Sequence, residues 1–166
     1  MSSILKVDQI QLSNGNTPTA GDLGLNTTGS VLQVVNGTTQ TQEQHTDTAW
    51  SDTGLQATIT PTSTSSKILV MVNQSCYSVR YGGAIRVLKG SSAIFQPGAN
   101  YSFYLDPGNN SNWRNYQSFN YLDSPSTTSA ITYKTQGLSN SSLGGSFRTQ
   151  QGGYFRSFIT LMEIAG

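Results

Sequence analysis

One cysteine, one histidine and very few charges set the first limits on this 166-residue chain. A single thiol, Cys76, cannot close an intrachain disulfide. With one imidazole, His45, and neither a Gly-X-Ser-X-Gly elbow nor a Walker-type phosphate loop, the common nucleophilic and nucleotide-hydrolysing designs find no support. Charged residues make up 10% of the chain, against a usual ~25%. The nine cations (Lys6, Lys67, Arg80, Arg86, Lys89, Arg114, Lys134, Arg148 and Arg156) are scattered, and the formal net charge is +1. No basic run exists to neutralise consecutive phosphates, so nucleic acid is not an expected partner. No apolar run approaches the ~20 residues of a membrane helix, so membrane insertion is not expected. The opening residues 1–8 lack the apolar region and cleavage site of a signal peptide, which leads us to expect cytoplasmic synthesis.

What fills the chain instead is Ser, Thr, Asn and Gly around short apolar phrases. Hydrophobic residues account for 35%, below the ~45–50% of ordinary domains, a benchmark that also counts Gly. Disordered chains usually join low hydrophobicity to high net charge. Here the charge is balanced and Val, Ile, Tyr and Phe are plentiful, so the reading is folded β. Strands are expected over 31–35, 55–60, 67–74, 84–88, 93–96, 101–105, 116–121, 130–136 and 157–164. Leu55, Ala57 and Ile59 alternate with polar neighbours, as on a half-buried strand. Residues 67–72 and 158–162 are apolar on both faces, as on central strands or strands covered by a neighbouring subunit. Lys89-Gly90-Ser91-Ser92 has hairpin spacing. Pro97-Gly98 and Pro107-Gly108 fit type II turns, in which glycine takes positive φ. No capped helical stripe appears. The class is all-β, a sandwich or barrel. The chain divides near residue 30. Residues 1–30 hold too few apolar side chains for a core, and read as an attachment or trimerisation arm or as a frayed tail; 31–166 form the head.

Three stretches carry a family resemblance. The first runs from Val31-Leu32-Gln33-Val34-Val35 through Leu55-Gln56-Ala57-Thr58-Ile59-Thr60-Pro61 to Lys67-Ile68-Leu69-Val70-Met71-Val72. The second is Tyr121-Leu122-Asp123-Ser124-Pro125-Ser126-Thr127-Thr128-Ser129-Ala130-Ile131-Thr132-Tyr133-Lys134. The third is the ending Ser157-Phe158-Ile159-Thr160-Leu161-Met162-Glu163-Ile164. This wording resembles the small fibre-like virion proteins of tailed phages, of the marine and cyanobacterial type. The resemblance implies a jelly-roll-like β-sandwich with an extended N-terminal arm, similar to the trimeric heads of C1q and tumour necrosis factor. It also implies a virion location at the surface or tail, after synthesis in the host cytoplasm. The expected partners are two further copies in a homotrimer, other virion proteins through the arm, and a host surface glycan or protein receptor. The expected role is a short tail fibre or fibre tip that adheres to the host. The alternative is a capsid decoration or head-fibre protein with a purely structural role.

The richest cluster for binding spans 100–116, where rings, amides and an arginine surround a loop. Sugars are held on such surfaces, with C–H faces on rings and hydroxyls on amides or arginine. Tyr104, Trp113, Arg114 and Tyr116 are the candidate contacts, with Tyr77, Arg80 and Tyr81 as a second set. The bland reading puts Tyr101, Phe103 and Leu105 in the core and 109–112 at a hairpin tip. Glu43, His45 and Asp47 would share one face of an extended strand and could ligate a metal. Ligands so placed lie ~6–7 Å apart and do not converge unaided, so a solvated loop between Val35 and Trp50 is the plainer expectation. No cofactor is expected. Cys76 is expected to pack as a small hydrophobe at a strand end. The carboxylates Asp52, Asp106, Asp123 and Glu163 fall in different strands or turns, which gives a glycosidase reading no support. The chain is therefore not expected to be an enzyme.

Overall fold

The computed structural model describes residues 9–19, 21–24, 28–79, 81–98, 102–104, 112–140 and 146–166. Ten strands, all paired antiparallel, form two sheets: β1 (Val31–Thr39), β2 (Glu43–His45), β3 (Ser51–Ile59), β4 (Lys67–Val79), β5 (Gly83–Lys89), β6 (Ser92–Phe95), β7 (Asn112–Asp123), β8 (Ile131–Ser139), β9 (Ser146–Thr149) and β10 (Ser157–Ile164). Eight of them make two four-stranded layers, in the orders β1-β10-β4-β7 and β3-β8-β5-β6. That is the strand order of a jelly roll, so the chain is an all-β sandwich. The remaining two, β2 and β9, extend the first sheet.

Strand β4 organises this arrangement. It is 13 residues long, and β7 pairs with it from Ile68 to Val79. Its other edge is shared: β10 takes Lys67 to Asn73 and β9 takes Cys76 to Val79. The expected strand 67–74 thus continues well past Gln74, because two further strands satisfy the backbone groups of its second half. Cys76 consequently lies in mid-strand rather than at a strand end, 2% exposed. Burial raises its thiol pKa far above the ordinary value, which keeps it protonated.

The alternation read from the sequence places the core. Leu55, Ala57 and Ile59 of β3 face Ile68, Val70 and Val72 of β4 and Ile159 and Leu161 of β10, with Ile85, Val87, Phe119, Tyr133 and Phe147 in the same cluster. Each such side chain contributes roughly 1.5–3 kcal/mol when fully buried. Polar ties between the layers fix their registration. The Tyr133 hydroxyl donates to Asp123 at 2.7 Å, and Lys89 pairs with that carboxylate at 3.0 Å. Thr135 donates to Gln74 across the layers at 2.8 Å, and within the first sheet Gln74 donates to Ser157 at 3.0 Å. Such satisfied buried networks favour one packing arrangement over its alternatives.

Several boundaries differ from expectation. Strand β1 runs on to Thr39 because its ladder with β10 is made by backbone groups, which polar Asn36 and Thr38 supply as well as valine does. Gly37 permits this, since a Cβ there would overlap the Gln56 carbonyl oxygen of β3. The stretch between Val35 and Trp50 is not a solvated loop throughout. It contains β2, paired with β9, and His45 is 2% exposed. Of the expected strand 101–105, Phe103 forms a single bridge to Gly83; Tyr101 and Leu105 lie outside the described residues. Gly90 takes positive φ in the β5–β6 hairpin, as expected. At Pro97-Gly98 the Gly98 carbonyl accepts from the Gln96 side chain at 2.8 Å; Pro107-Gly108 lies outside the described residues.

Candidate binding surfaces

The outer face of the larger sheet carries two surfaces of different chemistry. At one end, the register aligns Arg114 of β7, Tyr77 of β4, Arg148 of β9 and Gln44 of β2 in one row. Opposite residues in antiparallel strands share a face, so the two arginines flank the tyrosine. Their guanidinium carbons lie 5.3 Å (Arg114) and 5.9 Å (Arg148) from the Tyr77 ring centroid. The connection from β9 to β10 folds over this row through positive φ at Gln150, Gly152 and Gly153. It brings the Phe155 ring to 5.5 Å from Arg114 and the Gln151 carboxamide to 2.7 Å from Arg114 Nε. Tyr77 is left 6% exposed, so it serves as the floor of this surface and offers little contact area.

The other expected contacts divide between faces. Tyr116 is two residues from Arg114 on the same side of β7 and 44% exposed. Trp113 points to the opposite side, where its ring lies 5.2 Å from Phe103. Phe103 continues to Phe147 at 5.7 Å, and Phe147 to His45 at 5.3 Å. Trp113, at the end of this aromatic line, is 38% exposed, and Tyr104, next to Phe103 in the chain, is 55% exposed. Tyr81 is half-buried with φ of 55°. Beside it, Gly82 holds a positive φ at a site where a Cβ would overlap the Phe103 carbonyl oxygen. Arg80 lies outside the described residues. Spacing along β7 could show that Arg114 and Tyr116 share a face. Nothing local could show that Arg148, 34 positions on, would join them; that follows from β9 pairing with β4.

Glu43, His45 and Asp47 are not gathered. Among the described residues no three His, Cys, Asp or Glu side chains lie together. Asp47 accepts from the Ala49 amide at 2.8 Å in a local turn. His45 Nδ1 is 2.7 Å from Ser51 Oγ, and its Nε2 is buried without a partner. Burial lowers its pKa to about 4, against a smaller opposing effect of Asp47. Asp52, Asp123 and Glu163 are similarly committed to structure. Asp52 pairs with Lys134 at 2.8 Å, Asp123 with Lys89, and Glu163 fastens the 60–66 turn. Glu163 accepts from the Thr62 amide and hydroxyl, each at 2.7 Å, and from Gln33 at 2.5 Å. Burial would raise its pKa, but these donors outweigh it and hold it at about 2. No enclosed pocket opens among the described residues.

At the other end of the face, an apolar row crosses four strands: Val34, Met162, Leu69 and Leu122 stand side by side on β1, β10, β4 and β7. Val34 and Leu122 are 55% and 51% exposed. Met71 and Ile164 adjoin this row, and Thr160 separates it from Phe158. Lys67 at its rim is the one charged residue that these strands place on this part of the face. Three intervals between strands make the row about 15 Å wide.

No family model and no curated protein matches this chain. Among solved structures it is similar to the VP2 protein of infectious bursal disease virus. A D431N mutant VP2 in T=1 particles is 16% identical with a TM-score of 0.39, covering 80% of this chain and 36% of that one. A VP2 subviral particle gives 14% and 0.40, covering 82% and 38%. The Gt strain structure gives 12% and 0.36, covering 96% and 43%. This chain therefore spans less than half the length of each of these proteins, and a likeness of this degree carries no argument about its role.

Proposed function

We propose that this chain is a structural virion protein of the tailed-phage fibre type, a self-associating, non-enzymatic jelly-roll head that adheres to host surface glycans. The observation that carries the reading is the apolar row Val34–Met162–Leu69–Leu122 on the outside of the β1-β10-β4-β7 sheet. A large exposed apolar patch marks an interaction surface, and here it sits on a rigid sheet with almost no charge to oppose a second copy. A trimer would cover that face and leave the arginine and aromatic end of each head free. Three weak sites on one rigid assembly then gain avidity without any new contact. The commitment of Asp52, Asp123 and Glu163 to structural bonds favours adhesion over hydrolysis.

Native mass by light scattering, on the full chain and on a Leu122→Glu variant, tests the reading. The expected result is a trimer for the full chain and a folded monomer for the variant. A monomeric full chain would overturn the avidity mechanism. A trimer that binds no glycan would leave a decoration role in place of adhesion.

A further inference from the structure

We infer that Arg114 and Arg148, set on either side of Tyr77, form a subsite for the oxyanion of an acidic saccharide. This inference rests on the adhesion reading above and names the chemical class of its ligand. Three observations support it. The first is unmet hydrogen bonding. Arg148 makes no hydrogen bond to a described residue, and its Nε is buried without a partner. Arg114 uses only Nε, on Gln151, which leaves its terminal NH2 groups without a bond to a described residue. The buried Nε is out of a ligand's reach, but Arg148 is half-buried and the terminal NH2 groups of a guanidinium are suited to parallel bonds with one carboxylate, sulfate or phosphate.

The second observation is uncompensated charge. The ion pairs among the described residues are Lys89–Asp123 and Lys134–Asp52, and neither involves an arginine. The carboxylate nearest in sequence to this row is Glu43, which pairs with buried Thr149 and so belongs to the opposite face from Gln44 and Arg148. The third is the pairing of charge with open rings. Tyr116 stands about 7 Å along β7 from Arg114 on the same side. Tyr154, on the covering connection, is 87% exposed. An anionic group on the arginines would leave the attached sugar ring against an aromatic face, an arrangement a free inorganic ion cannot use. The Tyr77 ring, its centroid 5.3 Å from the Arg114 guanidinium carbon and 5.9 Å from that of Arg148, attracts both by cation–π interaction.

The test follows the Arg148 Nε–Hε signal and backbone amides of the full chain by 15N–1H NMR. Separate titrations use oligogalacturonate, a heparin-derived sulfated hexasaccharide, neutral maltohexaose and inorganic sulfate. We expect an acidic oligosaccharide to bind at least tenfold more tightly than maltohexaose, to shift Arg148 Nε–Hε, and to weaken as salt rises. Preference for the carboxylated or the sulfated chain identifies the anion. Arg148→Gln and Arg114→Gln should each reduce that binding at least tenfold, and Arg114→Gln serves if the Arg148 variant fails to fold. Equal binding of acidic and neutral chains would overturn the inference and leave the adhesion reading standing. An equal response to inorganic sulfate would overturn the saccharide assignment. Adhesion to host cells with no acidic preference would also sink the subsite alone, whereas loss of both would remove the adhesion reading as well.

Discussion

The two halves of strand β4 present opposite chemistries to solvent. Over Lys67–Asn73 its outer side chains are Lys67, Leu69, Met71 and Asn73, with Leu69 flanked by Met162 of β10 and Leu122 of β7 and Met71 by Thr160 and Asn120. Over Cys76–Val79 its outer side chain is Tyr77, flanked by Arg114 and Arg148. β7 runs alongside both halves, so the difference comes from the side chains that β4 and β7 present along their length and from the change of partner on the other edge, from β10 to β9. The first half has an apolar surface that water disfavours and a second copy could cover. The second half has cations already desolvated on one side by aromatic rings, and an anion could complete them. One rigid sheet can thus separate assembly from recognition along its length.

The comparison can be broken first from beneath. Leu161, fully buried under the apolar half, should cost roughly 2–5 kcal/mol when changed to Ala, read by denaturant unfolding of the full chain. Its outward neighbour Met162→Ala should leave monomer stability within about 0.5 kcal/mol while weakening association. Equal losses from the two would show that the outer face is not an open surface.

Acid separates the halves by pH window. Glu163 lies under the apolar half, with a native pKa of about 2 against 4.5 for the ordinary group. Its contribution is complete above pH 4.5 and is lost as pH falls through that window, a change on the order of 3 kcal/mol. His45 lies under the arginine half, with a native pKa of about 4 against 6.5. The folded chain binds fewer protons than the unfolded chain between those values. Stability is therefore complete above pH 6.5 and declines toward pH 4, by an amount of similar order. Unfolding free energies at intervals from pH 7 to 3 should show the His45 component first; His45→Leu should flatten the upper window only, and Glu163→Gln the lower only. A smaller effect is expected at the junction of the layers. Gly37→Ala should destabilise by about 1–3 kcal/mol through overlap with the Gln56 carbonyl, and an unchanged melting curve would show that β1 can shift away from β3. The smallest effect sharpens the arginine half: Arg114→Gln should change stability by less than about 0.5 kcal/mol, so any large loss of ligand binding in that variant would belong to recognition.

Much of the fold was legible because burial on one face of a strand writes a period of two into the chain. Leu55, Ala57 and Ile59 announced β3, and the doubly apolar runs announced β4 and β10 as central. The paired β2 and β9 were not legible, because three- and four-residue strands carry too few alternations to stand out from a polar loop. The candidate surface was legible only in part. Arg114 and Tyr116 could be grouped from their spacing on β7. Trp113 was grouped with them by proximity in sequence, but adjacent residues of a strand face opposite sides.

By itself the sequence determined an all-β chain, the inward residues of its longer strands and the absence of a charge run or disulfide, since these follow from local alternation and composition. Only the tertiary structure decided that β9 and β10 would share one edge of β4, that His45 and Cys76 would be buried, and that Arg114 and Arg148 would meet across Tyr77. Those outcomes depend on pairing between segments far apart in the chain, and strand register is set by the whole sandwich core rather than by any neighbourhood of residues.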